Sequence, residues 1–172
     1  MYSPEPVHAP GITRRAQQAD ILVMPGQLWF GEGQVRVKTL LGSCVAVTLW
    51  HPRRRVGGMC HYLLPKRERQ PGQARDGKYG TEAVEMLIQA LRGTGAKAAE
   101  FECHLYGGAD TMPDAAGAKF NVGERNIEQA WNLIEQYGLE LQGVDVGDNV
   151  PRTVILDVGQ GLVECHRGRA HK

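Results

Sequence analysis

Residues 35–65 read VRVKTLLGSCVAVTLWHPRRRVGGMCHYLLP, and the order of strands and turns in that stretch decides the class of fold. Val35 to Val37 and Val45 to Leu49 are β-branched, apolar runs of strand length. Between them lie Leu40, Leu41, Gly42 and Ser43, where the glycine and serine mark a sharp turn just before Cys44. A polar turn, His51-Pro52-Arg53-Arg54-Arg55, leads into a third apolar strand, Val56 to Leu64, which Pro65 ends because it cannot donate to a ladder. A cysteine is thereby placed at a strand's edge. Side chains alternate along a strand, so Met59, His61 and Leu63 share one face and Cys60 and Tyr62 the other. Positions 44 and 61 lie almost symmetrically about the arginine turn, which sets Cys44 and His61 opposite or diagonal on one face of a hairpin.

Downstream of Pro65, residues 66–78 read as a polar, glycine-containing loop. Thr81 to Leu91 carries Ala83, Val84, Leu87, Ile88 and Leu91 at helical spacing, with Thr81 as the expected cap and Gly93 as the stop. Phe101 to Tyr106 reads as a strand running into Gly107-Gly108. Asn126 to Tyr137 reads as a second helix with Ile127, Ala130, Trp131 and Ile134 on its apolar stripe and Gly138 closing it. Leu139 to Val146, Arg152 to Leu156 and Leu162 to His166 are strands separated by glycine-rich turns. No internal repeat is present. The expected organisation is a flexible arm over 1–20, one domain over 21–166 and a basic tail over 167–172.

Composition agrees with a sheet-rich single domain. The 172 residues include 22 glycines, well above the roughly 7% of average chains, and only 6% aromatics. With 20 basic and 19 acidic residues the net charge is +1, so no global field draws nucleic acid or an anionic membrane surface. The first twenty residues lack the apolar core of a secretory signal, and no run approaches the roughly 20 apolar residues of a membrane-spanning helix. These features predict a cytoplasmic protein with neither a nucleic-acid partner nor membrane insertion, whose four cysteines are reduced thiols.

A thiol is the strongest side-chain nucleophile once ionised, but an ordinary cysteine near pKa 8.5 is only a few per cent thiolate at neutral pH. A neighbouring histidine supplies the missing base, which singles out Cys44 with His61. The competing reading is a small buried cysteine and a satisfied core histidine. Cys103-His104 and Cys165-His166 look like metal ligands on paper. On strands each pair splits across a sheet, and none has the two-residue cysteine spacing of a zinc knuckle. Gly57-Gly58 and Gly107-Gly108 either allow close sheet packing or shape a substrate groove.

Several motifs, in order, carry a resemblance to a known family. They are Thr39-Leu40-Leu41-Gly42-Ser43-Cys44-Val45-Ala46-Val47, Val56-Gly57-Gly58 leading to His61 and Leu64-Pro65, and Tyr79-Gly80 at the first helix. Tyr106-Gly107-Gly108-Ala109-Asp110-Thr111-Met112, Val122-Gly123-Glu124-Arg125-Asn126, and Asp145-Val146-Gly147 with Arg152 complete the set. The chain resembles the CheD family of bacterial chemoreceptor glutamine deamidases. The resemblance implies a three-layer α/β/β sandwich, similar to the catalytic domains of deamidating toxins. It also implies a catalytic cysteine and histidine at Cys44 and His61, completed by a threonine for which Thr39 is the candidate. Asp148, where a second glycine is expected after Gly147, and Trp50-His51-Pro52, where an acidic residue is more usual, depart from the pattern.

The chemistry implied is hydrolysis of receptor glutamine to glutamate through a thioester. The N–H groups around Gly42, Ser43 and Cys44 are candidate oxyanion donors, Gly107 and Gly108 are further substrate or oxyanion candidates, and no metal or cofactor is required. The implied partners are the cytoplasmic domains of chemoreceptors and a CheC-type phosphatase. The alternatives are a non-catalytic chemotaxis adaptor on the same fold and a cysteine amidase acting on another protein or a small amide.

Overall fold

The computed structural model of the protein describes residues 18–111 and 121–169. Its elements run β1 (Ala19–Leu22), β2 (Leu28–Glu32), β3 (Val35–Leu41), β4 (Val45–His51), β5 (Val56–Tyr62), α1 (Gly80–Arg92), a 3-10 turn at Ala98–Glu100 and β6 (Glu102–Gly107). They continue with α2 (Val122–Tyr137), β7 (Glu140–Val146), β8 (Arg152–Asp157) and β9 (Leu162–Arg167). Two sheets form, one ordered β2-β5-β4-β6-β7 and the other β1-β3-β8-β9.

Strand alternation explains why the sheets stack. Val45, Val47 and Leu49 of β4 join Cys60 and Tyr62 of β5 and Cys103 and Leu105 of β6 in a core closed by α1 and α2. The intervening residues Ala46, Trp50, Met59 and Tyr106 face the other way, onto Val37, Leu41, Val154 and Leu156 of the four-stranded sheet. The five-stranded sheet is therefore covered on both faces, and every residue of β4 and β5 is buried. A strand covered on both faces has to read as a near-continuous apolar run, as these two do. Each fully buried large aliphatic side chain contributes about 1.5–3 kcal/mol of transfer free energy. The result is a single-domain α/β fold in three layers, α over β over β, as expected from the sequence.

The hairpin expected around the arginine turn is present, with Ala46 opposite His61 and Val47 opposite Cys60. Gly57 and Gly58 serve close sheet packing. A Cβ on Gly58 would lie 2.1 Å from the Trp29 carbonyl oxygen of β2, and one on Gly57 2.2 Å from the Leu49 oxygen of β4.

Several local expectations are corrected. Thr81 does not cap α1; the helix begins at Gly80, Tyr79 is its N-cap without a side-chain bond, and the Thr81 hydroxyl accepts from Gln129 Nε2 instead. Helix α2 starts four residues before Asn126, at Val122, because Asn121 caps it by accepting the Glu124 N–H. Trp131 is not on the buried stripe but exposed, and Leu133 fills the core in its place. Strands β1 and β2 were not anticipated as elements, and β1 begins at Ala19, two residues ahead of the expected start of order. The remainder of the expected arm (1–17), the end of the expected tail (170–172) and the end of the Tyr106–Met112 motif lie outside the described residues.

Candidate active site

Thr39 and His61 come from different stretches, and the layered packing brings their side chains into contact, while Cys44 borders the same interlayer core without a hydrogen bond to His61 Nε2. Thr39 sits on the inward face of β3, flanked by the buried Val37 and Leu41, and is itself fully buried. His61, on β5, lies on the same face as Met59, between the two sheets, and is 1% exposed. Its hydroxyl partner is across the interlayer space: Thr39 Oγ1 lies 2.7 Å from His61 Nδ1 and donates its own proton to the Val23 carbonyl oxygen at 2.6 Å. A hydroxyl has one proton. Because Thr39 spends it on Val23, the oxygen can only accept from the imidazole, so Nδ1 carries the ring proton and Nε2 holds the lone pair. Nε2 is buried and has no partner among the described residues.

Cys44 occupies the bend between β3 and β4, half-buried, with its side chain against the interlayer core. The His61 N–H donates to Gln27 rather than to β4, so Ala46 and His61 form a non-hydrogen-bonded pair, the closer of the two antiparallel pairings. Cys44 is two residues before Ala46 and hence a diagonal neighbour of His61. Burial pushes the Cys44 thiol up from its ordinary range and takes the His61 imidazole down to about 4, the Val23 carbonyl opposing the latter only in part. Near neutrality both groups are therefore uncharged, the one a thiol and the other a neutral imidazole.

The bend that carries Cys44 is held by its carbonyls. The Gly42 oxygen accepts from the Ala109 N–H at 3.0 Å, and the Cys44 oxygen accepts from the Gly108 N–H at 2.8 Å. The Ser43 oxygen accepts from Asn126 Nδ2 at 3.0 Å. With all three carbonyls engaged, the Ser43 and Cys44 N–H groups donate to no main-chain carbonyl among the described residues. Gly107 and Gly108 act differently from Gly42 and Ser43. The Gly108 N–H is spent on Cys44, and a Cβ on Gly107 would meet the Cys44 oxygen at 2.2 Å, so this pair permits a close approach that braces the bend. Both have positive φ, 106° and 69°, which glycine alone adopts freely.

Asn126 was not singled out individually from the sequence, although the motif that contains it was. Its side-chain nitrogen also donates to the Leu63 oxygen at 2.8 Å, and its main-chain carbonyl accepts from the Tyr62 hydroxyl at 2.5 Å. The signal was an asparagine inside a helix's apolar face, a residue that must find partners when buried. Cys60 and Cys103, by contrast, face the helical layer, and burial pushes both thiols up to about 12.

A family model described as CheD chemotactic sensory transduction matches residues 63–167. A protein of Chromobacterium violaceum named "Probable chemoreceptor glutamine deamidase CheD 1" is 42% identical over 159 residues, which is 91% of this chain and 82% of that protein. The chain belongs to the CheD family. A Dechloromonas aromatica CheD, similarly named, is 40% identical over 84% of this chain and 85% of its own, and one from Pseudomonas syringae pv. tomato is 38% identical over 84% and 86%.

The two departures from the CheD pattern have physical substitutes. Asp148 adopts φ 55°, the left-handed conformation a glycine would take, and its carboxylate pairs with Arg167. His51 Nδ1 accepts the Arg53 and Arg54 N–H groups of the β4–β5 turn, the service an acidic side chain performs at such a position. No helix among the described residues is long and apolar enough to cross a membrane.

Proposed function

We propose that this protein hydrolyses glutamine side chains of chemoreceptors to glutamate, with Cys44 as nucleophile, His61 as base and Thr39 as the group that orients the imidazole. The observation that carries the reading is the Val23–Thr39–His61 relay, which fixes the ring tautomer and leaves Nε2 as a lone-pair base on the face shared with Cys44. The relatives named chemoreceptor glutamine deamidase supply the substrate class.

In the first step His61 Nε2 takes the Cys44 proton as sulfur attacks the side-chain amide carbon, and the carbonyl electron pair moves onto oxygen. Both groups start neutral, so the proton moves as the carbon–sulfur bond forms, and no standing ion pair is required. The Ser43 and Cys44 N–H groups are the proposed donors to that oxygen. Collapse breaks the carbon–nitrogen bond, the imidazolium proton passes to nitrogen, and ammonia leaves a thioester. Water, deprotonated by His61, then releases glutamate and restores the thiol. Each turnover places a new carboxylate on a receptor helix, which alters its charge pairing and its signalling balance.

The proposed partners are the cytoplasmic domains of receptors and, secondarily, a CheC-type phosphatase competing for the same cleft, with both events in the cytoplasm. The deciding experiment follows ammonia release and a mass gain of about one dalton on a glutamine-bearing receptor fragment, with wild type beside Cys44→Ala and His61→Ala. Both signals are expected from wild type and neither from the variants. A folded wild type that binds receptor fragments and changes none of them would establish the adaptor reading instead.

A further inference from the structure

We infer that Asn126 is a positioning residue of the site: one side-chain amide that holds the Cys44 bend and the end of the His61 strand at a set separation. The inference rests on the Cys44–His61 reading for its catalytic consequence, but its structural content stands separately. Asn126 Nδ2 has two protons, and both are used, one on the Ser43 oxygen immediately before the nucleophile and one on the Leu63 oxygen two residues after the base.

The geometry also dictates which way the amide faces. With Oδ1 turned toward Ser43 and Leu63, three acceptor oxygens would confront one another without a proton. The observed orientation is thus forced by the two carbonyls, and it leaves Oδ1 buried without a partner. An unpaired buried amide oxygen costs stability. An apolar side chain here would avoid that cost but leave the Ser43 and Leu63 oxygens without their donor, so the asparagine's use lies in what its nitrogen holds.

The amide's seat is itself fixed. The Tyr62 hydroxyl, next to His61 in the chain, donates to the Asn126 carbonyl. Gly123, one turn earlier in α2, packs so closely on the Gly108–Ala109 backbone that a Cβ there would fall 2.3 Å from the Ala109 oxygen. The first turn of α2 therefore packs on the Gly108–Ala109 backbone, whose N–H groups hold the Cys44 bend. Of the three carbonyl anchors on the bend, two are main-chain bonds from residues 108 and 109, and Asn126 supplies the third, the one that a substitution can remove.

The test uses the full-length protein with Asn126→Asp, which keeps the shape but presents oxygens where donors are needed, and Asn126→Ala, which removes the amide without adding charge. Iodoacetamide labelling, read peptide by peptide, follows Cys44 beside Cys60 and Cys103. In both variants Cys44 labelling at pH 7 is expected to rise at least fivefold as the bend loosens, while Cys60 and Cys103 stay protected because the fold persists. On a receptor fragment, kcat per folded molecule is expected to fall at least thirtyfold with KM within about threefold. Unchanged Cys44 labelling in either folded variant, or labelling that rises at all three cysteines together, would overturn the inference. Because labelling needs no substrate, a wild type that releases no ammonia would remove the deamidase reading and still leave the clamp to be judged.

Discussion

His61 governs how the site answers to pH. With the ring's proton affinity taken down to about 4 by burial, Nε2 remains a free base through the neutral range. The acid limb of kcat/KM is expected near pH 4, not near the ordinary histidine value of 6.5. Stability is linked to the same group. In the unfolded chain the ring titrates near 6.5, so between pH 6.5 and 4 the unfolded state binds more protons, and the contribution of neutral His61 is full above that window and is lost as pH falls through it. The loss is on the order of 3 kcal/mol by pH 4. Thermal melts of wild type and His61→Gln should therefore converge as pH is lowered from 6.5 to 4; a gap that stays constant would contradict the buried neutral ring. Thr39 gives a second expectation at this scale. Thr39→Val keeps the shape and removes the acceptor for Nδ1–H, so kcat should drop roughly ten- to a hundredfold, by about 1–3 kcal/mol, with Thr39→Ser close to wild type. Cys44 and His61 were legible as a pair because hairpin symmetry relates them. Val23, whose carbonyl takes the Thr39 proton, was not, since nothing in a single stretch tells which main-chain oxygen from β1's end will reach β3.

At the scale of elements, helix α2 is held at both ends by local chemistry, with Asn121 accepting the Glu124 N–H and Gly138 closing in the left-handed region at φ 63°. Asn121→Ala should cost about 1 kcal/mol, a fall of roughly 2–4 °C in Tm for a domain of this size. Since α2 delivers Asn126 to the Cys44 bend, a cap loss that frays the first turn should also reduce kcat modestly; an unaffected Tm in calorimetry would show the cap to be idle. The apolar spacing of α1 and the core of α2 could be read directly. The outward Trp131 could not, because period and composition rank it as core although α2 turns it to solvent. Strand β2, Leu28–Glu32, escaped notice for a related reason: it is five residues long, contains Gly31, and acquires its strand character from pairing with β5.

Across the whole molecule the two sheets are tied near the site by one buried cation. Arg152 of β8 reaches from the four-stranded sheet to the Asp145 carboxylate on β7, 3.2 Å away, and toward the Gly107 oxygen at 3.5 Å. Arg167 and Arg152 together hold the Asp145 carboxyl far below the usual carboxylate range. Arg152→Ala opens a cavity between the layers and leaves Asp145 with Arg167 as its remaining ion-pair partner. A loss of about 2–4 kcal/mol is expected, discounted from the cost of a fully buried pair because Asp145 is partly solvated. Urea unfolding should register it as a lower midpoint at unchanged slope. A midpoint within experimental error of wild type would mean that Arg152 contributes nothing to joining the sheets. Trp50, whose indole N–H donates to the Val158 oxygen at 2.8 Å, is the corresponding tie at the far end of β4.

The sequence by itself determined the strand–turn–strand unit, the existence of both helices and the split of the β5 side chains between two faces. Each follows from local periodicity or from turn geometry, interactions between residues close in the chain. Only the tertiary structure decided the ring tautomer of His61, the three anchored carbonyls of the Cys44 bend, and the placing of Asn126 and Arg152. Apart from the Arg152–Asp145 pair, those depend on contacts 16 to 83 residues apart, such as Thr39 with Val23 and Asn126 with Ser43. Which buried donor meets which buried acceptor is settled when layers close and desolvation makes every unpaired group costly, and no one-dimensional pattern records that choice.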